Sequence, residues 1–254
     1  MQKINSNKIV ICFKKGIFMI NLEMSKHLKT QYANGIPYPH IVFDNFVVQE
    51  GLLDKVIEEF NTYDGWGCDC VSGDHQVAKY FSPWNEESLK NLPPTINNLL
   101  QYFNSDVFIK FLEELTGIEN LLADPTFSGG GMHKIFRGGK LSVHADFSLH
   151  PELRHLHRRL NLLLYLNKNW QSEWGGSLRL YDVTTKKMVH DILPLFNRAV
   201  IFSTTVDALH GHPHPLNCPD DVARHSLALY YFTEEKPDVG SGTNLSATWY
   251  DIKD

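Results

Sequence analysis

The second half of this 254-residue chain consists of short apolar segments separated by turns, and this pattern constrains the fold more than any other feature. The change in texture follows Gly129-Gly130-Gly131. Many short strands at this spacing predict a mainly β jelly-roll barrel or β-sandwich rather than alternating β–α units. The predicted strands are Met132–Phe136, Leu141–Ala145, Arg159–Leu166, Gly176–Tyr181, Lys187–Ile192, Arg198–Ser203 and Ser226–Phe232.

The first half has mostly helical periodicity. Apolar residues recur every three or four positions over Gln49–Tyr63 and again over Leu99–Leu115, where Gly117 marks the end of the second helix. Tyr38–Val47 predicts a first strand followed by a turn. The turn-rich segment Asp64–Asn91 predicts a loop region with at most one short strand.

Helices followed by strands predict one domain, residues 25–254, in which helices between residues 49 and 117 buttress a barrel core at residues 127–235. Residues 1–24 are predicted to be an N-terminal extension that is either disordered or foreign to the native protein. This extension does not read as a signal peptide, because Lys14-Lys15 ends its apolar run early and no small-residue cleavage site follows.

Composition excludes several classes of protein. The formal net charge of −5 argues against nucleic acid or an anionic membrane as the main partner. No apolar run approaches the roughly 18 residues of a membrane span. Four cysteines in a chain of this length form no disulfide framework, which favours a reducing, cytoplasmic location. We therefore expect a globular protein whose main partner is neither nucleic acid nor a membrane, and the sequence carries no signal of its oligomeric state.

His144 and Asp146 form the sharpest chemical motif. Residues two apart in a strand point to the same side, so both side chains can hold one metal ion. With a third ligand from a distant histidine they would form a two-His-one-carboxylate triad, which leaves open positions on a non-haem Fe(II) ion. A chance His and Asp on a surface strand is the alternative interpretation.

Three histidines compete for the third position: His210, His212 and His214. His210 follows an apolar run that predicts a strand, so we prefer it as the ligand. Pro213 and Pro215 interrupt any regular strand beyond it. This predicts that His212 and His214 are loop residues near the entrance of the barrel.

Arg224 begins the last predicted strand, 14 residues after His210. A guanidinium inside a barrel is costly unless a carboxylate pairs with it. A dicarboxylate co-substrate would supply that partner through a bidentate contact. Ser226 faces the same side and could donate a further hydrogen bond. The alternative is an arginine that closes the barrel by pairing with an internal Asp or Glu.

These motifs resemble the 2-oxoglutarate/Fe(II) dioxygenase superfamily and, within it, the prolyl 4-hydroxylase-like branch. The resemblance covers about residues 132–232, with a weaker match at Tyr38–Val47. It rests on His144-x-Asp146, Arg159-Leu160-Asn161-Leu162-Leu163-Leu164-Tyr165-Leu166-Asn167-Lys168-Asn169-Trp170, Trp174-Gly175-Gly176-x-Leu178, His210-Gly211-x-Pro213 and Arg224-x-Ser226. The resemblance implies a double-stranded β-helix, a cupin-like jelly-roll barrel.

The resemblance also implies roles for individual residues. Fe(II) would bind His144, Asp146 and His210, and these three with Arg224 would form the catalytic set. Arg224 would hold 2-oxoglutarate, with Tyr165 reaching its distal carboxylate from the neighbouring strand. The further co-substrate-binding residues would be Ser226 and Asn161.

The implied activity is that of an oxidoreductase that hydroxylates an unactivated C–H bond, with a prolyl residue in a protein or peptide as the leading substrate. O2 and 2-oxoglutarate would be consumed and succinate and CO2 released. Ascorbate would support turnover by returning oxidised iron to Fe(II). Two alternatives stay open: the same chemistry on a small molecule or sugar, and a metal-binding barrel without turnover, which would normally have lost the arginine or one ligand.

Other polar and aromatic clusters have weaker interpretations. Cys68-Asp69-Cys70 with His75 lacks the second cysteine pair that a structural zinc site needs. Trp249 is predicted to be a packing aromatic. Four aromatics in the turn-rich segment are predicted either to cover the substrate or simply to pack, namely Trp66, Tyr80, Phe81 and Trp84.

Overall fold

The computed structural model describes residues 19–68, 73–238 and 240–252. Its helices are α1 (Met24–Ala33), α2 (Leu52–Thr62), α3 (Glu86–Lys90), α4 (Pro94–Phe103) and α5 (Asp106–Thr116). Its strands are β1 (His40–Phe43), β2 (Gly67–Cys68), β3 (Gln76–Ser82), β4 (Leu122–Ala123), β5 (Gly131–Ala145), β6 (His157–Tyr165), β7 (Leu178–Tyr181), β8 (Met188–Ile192), β9 (Ala199–Ser203), β10 (Leu209–His212), β11 (Arg224–Thr233) and β12 (Thr248–Trp249). Short 3-10 turns span Gly73–His75 and Ser172–Trp174.

The strands form one curled antiparallel sheet of the double-stranded β-helix type, which confirms the predicted jelly roll. Its main path runs in the order β1-β9-β6-β11-β5-β10-β7-β8. Strands β5 and β10 lie side by side, and so do β5 and β11. The strands that carry the histidine and arginine motifs are therefore neighbours, which places those motifs on one wall of the barrel.

Strand β5 differs from the prediction of two strands separated by a turn. It is one strand of 15 residues. Gly138 adopts a left-handed φ of +79°, and the pairing with β3 shifts register opposite this region. The glycines bend the strand without ending it, since glycine adopts this conformation at no steric cost. One half of β5 can then pair with β11 and the other half with β10.

The helical half is also more divided than its periodicity indicated. The helix predicted over Leu99–Leu115 is two helices, because Ser105 caps α5 by accepting a hydrogen bond from the Phe108 backbone N–H. The prediction over Gln49–Tyr63 is confirmed as α2. The segment Asp64–Asn91, predicted to be mostly loop, contains β2, β3 and α3. None of the helices in the described ranges is long and apolar enough to cross a membrane.

The helices and the sheet share one hydrophobic core. Phe46 packs against three aromatic rings from α4 and α5, namely Phe103, Phe108 and Phe111. The same cluster continues into inward residues of β6 and β11, including Leu162 and Leu229. Met19 and Ile20 are buried in this core as well, so packed structure begins before the predicted boundary at residue 24. The remainder of the predicted extension, residues 1–18, lies outside the described residues.

Candidate metal centre

His144, Asp146 and His210 meet inside the barrel. Their ligand atoms all lie within 4.8 Å of one another, and no other such group of His, Cys, Asp or Glu occurs in the described part of the chain. The Asp146 carboxylate oxygens lie 3.5 Å from His144 Nε2 and 3.4 Å from His210 Nε2. Strand pairing produces this geometry, because His210 on β10 lies directly opposite His144 on β5. The structure thus brings the predicted triad together.

Both imidazoles are held by their own strands. His144 Nδ1 lies 2.9 Å from the carbonyl oxygen of Ser142, and His210 Nδ1 lies 2.9 Å from that of Ala208. Since a carbonyl can only accept, each Nδ1 carries the proton and each Nε2 keeps its lone pair toward the centre. Metal-ligating histidines characteristically donate their other ring N–H to a carbonyl or carboxylate oxygen in this way.

Asp146 is oriented by two side chains of β6. Asn161 Nδ2 donates to Asp146 Oδ2 at 2.7 Å, and the Arg158 guanidinium lies 3.1 Å from the same oxygen. Arg158 in turn donates to Asn161 Oδ1 at 3.0 and 2.6 Å. Asn161, which was predicted to bind the co-substrate, orients the Asp146 carboxylate through its amide here, and its contact with a co-substrate stays a prediction. One carboxylate oxygen, Oδ1, remains outside this network.

Arg158 was not identified from the sequence. Its guanidinium is buried between the rings of Phe147 and Tyr230, 4.3 and 3.5 Å from their centroids. Simple alternation would not place both Arg158 and Asn161 on the inner face, since they are three residues apart. The pairing of β6 with β11 shifts by one residue here, so Arg159 is bulged out and Arg158 turns inward.

The charges of the three groups suit a divalent cation. Burial alone would raise the pKa of Asp146, but the positive charge of Arg158 and the two imidazoles outweigh it and hold that pKa well below its usual value. Burial lowers the pKa of His210 to about 4, against a smaller opposing effect of Asp146. The centre therefore presents an ionised carboxylate and a neutral imidazole at neutral pH. Ligands must be deprotonated in this way to bind a metal.

Arg224 lies in the same barrel. Its side chain is buried, with Nε donating to the Gly176 carbonyl at 2.7 Å and NH2 donating to the Tyr165 hydroxyl at 3.3 Å. Within residues 19–68, 73–238 and 240–252, no carboxylate pairs with this guanidinium. The alternative of an arginine that closes the barrel through an internal Asp or Glu is therefore not what the structure shows. Ser226 is buried directly opposite Tyr165 on the paired strand.

One cavity of about 280 Å³ contains both sets of groups. Its lining includes the triad together with Arg224 and Ser226. Asn161 lines it as well, while Tyr165 contributes through the Arg224 contact. The sequence prediction therefore placed its residues around a single cavity, and the assignment of their individual roles stays a prediction.

The position predicted for His212 is wrong. It is not a loop residue at the entrance but the last residue of β10, buried, and it lines the cavity. Pro213 follows the strand instead of interrupting it, which is why the proline gave a misleading signal. Burial lowers the pKa of His212 well below its usual value, and the nearby Arg224 charge lowers it further. His214 is exposed, as predicted.

Trp249 is a packing aromatic, as predicted, and the ring against which it packs is that of the metal-site residue His144. Its ring lies 5.1 Å from that of His144 and is stacked 4.8 Å from that of His75. The C-terminal strand β12 thereby covers one side of the cavity. The aromatics Trp66 and Trp84 instead line a separate surface groove, so they do not cover the centre.

Comparison with known proteins agrees with this geometry. Residues 130–232 match the sequence model of the 2OG-Fe(II) oxygenase superfamily. The chain is 23% identical to mouse (Mus musculus) prolyl 3-hydroxylase OGFOD1 over 200 residues, which is 77% of this chain and 33% of that protein. It is 30% identical to human (Homo sapiens) prolyl hydroxylase EGLN3 over 80 residues, 31% of each chain. The chain thus spans about a third of the length of these relatives.

Solved structures show the same fold. A prolyl 4-hydroxylase from Phytophthora capsici superimposes with a TM-score of 0.57 at 18% identity, covering 89% of this chain and 69% of the other. A prolyl hydroxylase from Trichoplax adhaerens, solved in complex with a hypoxia-inducible factor peptide fragment, gives 0.51 at 19% identity, covering 84% and 90%. At these identities the likeness concerns the fold.

Proposed function

We propose that the protein is a 2-oxoglutarate- and Fe(II)-dependent dioxygenase that hydroxylates a prolyl residue in a peptide or protein, since its barrel residues 130–232 match the sequence model of the 2OG-Fe(II) oxygenase superfamily. One observation carries the proposal. A cavity of about 280 Å³ contains the triad of His144, Asp146 and His210 together with the buried Arg224, which pairs with no carboxylate of the described residues.

The donor set fits Fe(II). Two imidazoles with fixed Nε2 lone pairs and one ionised carboxylate form the facial triad of Fe(II) oxygenases, and a triad leaves three positions for co-substrate and O2. When bound, the iron would supply the activation of O2, coupled to the conversion of 2-oxoglutarate to succinate and CO2. Ascorbate would support turnover by keeping the iron reduced.

The residues of the chain would bind 2-oxoglutarate, orient the metal-binding carboxylate and shield the centre from water. Arg224 can form a charge-assisted pair with the distal carboxylate of 2-oxoglutarate, beside the hydroxyls of Tyr165 and Ser226. Arg158 and Asn161 would keep the Asp146 carboxylate in one orientation. Trp249 would restrict access of water from the side of β12.

The proposal of a prolyl substrate rests on the relatives. OGFOD1 and EGLN3 are named as prolyl hydroxylases, and the chain is 23% identical to the first over 200 residues and 30% identical to the second over 80 residues. The cavity is partly open to solvent, so a polypeptide segment could reach the centre. A peptide library that contains proline is therefore the first substrate set to test.

The experiment is anaerobic reconstitution with Fe(II) and 2-oxoglutarate. We expect a weak visible charge-transfer band, then succinate release on admission of O2, and one added oxygen on a proline-containing peptide by mass spectrometry. Asp146→Ala should abolish succinate release. Arg224→Ala should raise the 2-oxoglutarate concentration for half-maximal rate by about thirtyfold or more, since a buried charge pair loses one partner.

The matched control for Asp146→Ala is Asp191→Ala, which removes an exposed carboxylate on β8. This control should keep full activity. Succinate release by the iron-loaded Asp146→Ala protein at the wild-type rate would contradict the assignment. If succinate is released and a small molecule is hydroxylated while no peptide is, the dioxygenase activity is supported and the prolyl substrate is contradicted.

A further inference from the structure

His212 differs from the other buried histidines of the barrel. His133, His144 and His210 each place one ring nitrogen against a backbone carbonyl. In His212 neither Nδ1 nor Nε2 has a hydrogen-bond partner among the described residues, although the side chain is only 4% exposed. A buried polar group left without a partner destabilises the folded state. A structural role in packing does not account for an imidazole at this position.

The position of His212 points to a ligand in the cavity. It lies two residues after His210 on β10, so both side chains face the interior. It lines the same cavity as Arg224 and Ser226. It is not part of the cluster formed by the triad in the described residues, so it is a poor candidate for a metal ligand.

The local backbone holds His212 in this place. Gly211 lies where β10 approaches β5 so closely that a Cβ would be 2.8 Å from the carbonyl oxygens of Leu141 and Ser142. His212 is paired with Leu141 on β5, and the register of the two strands shifts by one residue between this pair and the His210–His144 pair. The close approach of the two strands fixes the backbone at this point, and the His212 side chain lines the cavity that also contains Arg224.

We propose that His212 is a co-substrate-binding residue that donates a hydrogen bond to a carboxylate oxygen of 2-oxoglutarate held by Arg224. This inference rests on the proposed function. An imidazole offers one N–H donor and one acceptor nitrogen, and the carboxylate would satisfy the donor. A hydrogen bond to a charged group is stronger than one between two neutral groups.

The test measures binding without turnover. The Fe(II)-loaded protein is titrated anaerobically with 2-oxoglutarate, and the charge-transfer band gives the dissociation constant. His212→Leu should raise this constant at least about tenfold, with Fe(II) affinity within about twofold of wild type. His212→Asn, which keeps a donor, should recover part of the loss. The matched control is His214→Leu. This histidine lies two residues further along the chain and is exposed, so the variant should bind 2-oxoglutarate as the wild type does.

A second readout separates binding from packing. His212→Leu removes an unpartnered polar group, so the ligand-free variant should melt at or above the wild-type temperature, while 2-oxoglutarate should raise its melting temperature less. An unchanged 2-oxoglutarate dissociation constant in His212→Leu would overturn the role of His212 alone. Loss of Fe(II) affinity in that variant would also overturn it, in favour of metal ligation. Absence of 2-oxoglutarate binding in the wild type would overturn the proposed function itself.

Discussion

At the scale of single residues, His225 lies beside Arg224 but on the other face of β11. Its ring packs 5.0 Å from that of Phe60, and burial together with the nearby Lys134 lowers its pKa to about 4. In the unfolded chain the histidine pKa is about 6.5. Between about pH 6.5 and pH 4, His225 is therefore protonated in the unfolded chain and neutral in the folded protein. The free energy of unfolding is therefore unaffected by His225 well above pH 6.5, and it decreases as the pH falls from about 6.5 toward 4 because protonation favours the unfolded chain.

We therefore expect His225→Phe to reduce the loss of stability on acidification. Between about pH 7 and about pH 5, the wild type should lose about 2 kcal/mol more unfolding free energy than the variant. Urea unfolding at several pH values measures the difference. Parallel pH profiles of wild type and variant would show that His225 becomes protonated in the folded state as readily as in the unfolded chain.

The residue scale also shows what sequence could and could not predict. His144, Asp146, His210 and Arg224 could be placed, because strand period and the order of strands bring them to one wall. Arg158 could not, since a one-residue bulge at Arg159 reverses the alternation that a sequence reader relies on. His212 was assigned to a loop because a proline at position 213 was expected to interrupt the strand. In the structure Pro213 directly follows β10, and His212 is still part of that strand.

At the scale of elements, the centre depends on the close approach of β5 and β10. Gly211 permits this approach, since an added Cβ would meet two backbone carbonyl oxygens at 2.8 Å. Backbone atoms cannot move aside as a flexible side chain can, so Gly211→Ala should separate the strands. His210 and His144 lie opposite each other on these strands and would separate with them.

We expect Gly211→Ala to weaken metal binding on the order of tenfold or more, measured by Fe(II) or Mn(II) titration. The matched control is Gly138→Ala on β5, where the left-handed φ of +79° would be strained but no atom lies within 4 Å of the new Cβ. That control should lower stability and keep metal affinity. Equal metal affinity in Gly211→Ala and wild type would mean that the strands adapt without moving the ligands.

Element boundaries were the least predictable feature of the fold. Glycines at 138 and 139 read as a turn but bend a continuous strand, because the long-range pairing partners of β5 decide whether it continues. The periodicity of Leu99–Leu115 runs through Ser105, where the chain changes direction to pack both α4 and α5 on one core. These outcomes depend on tertiary contacts, which a local pattern does not contain.

At the scale of the whole molecule, the helices and the barrel are joined through aromatic packing. Phe108 of α5 is fully buried, and its ring lies 4.9 Å from that of Phe103 and 6.2 Å from that of Tyr231 on β11. Tyr231 also donates from its hydroxyl to the Phe103 carbonyl at 3.0 Å. The helical layer therefore shares its core with the strand that begins at Arg224, and loss of packing in the helices should weaken the barrel.

We expect Phe108→Ala to lower the unfolding free energy by roughly 3–5 kcal/mol through loss of buried area and creation of a cavity. The neighbouring Val107, 43% exposed, provides the matched control, since Val107→Ala should change stability by less than about 0.5 kcal/mol. Far-ultraviolet circular dichroism follows the helices, and tryptophan fluorescence, in a background that keeps only Trp170 and Trp174, follows the barrel loops. With a shared core, both midpoints should fall together in Phe108→Ala. A shift of the helical signal alone would mean that the helices unfold as a separate unit, and the single-domain organisation predicted for residues 25–254 would then be wrong.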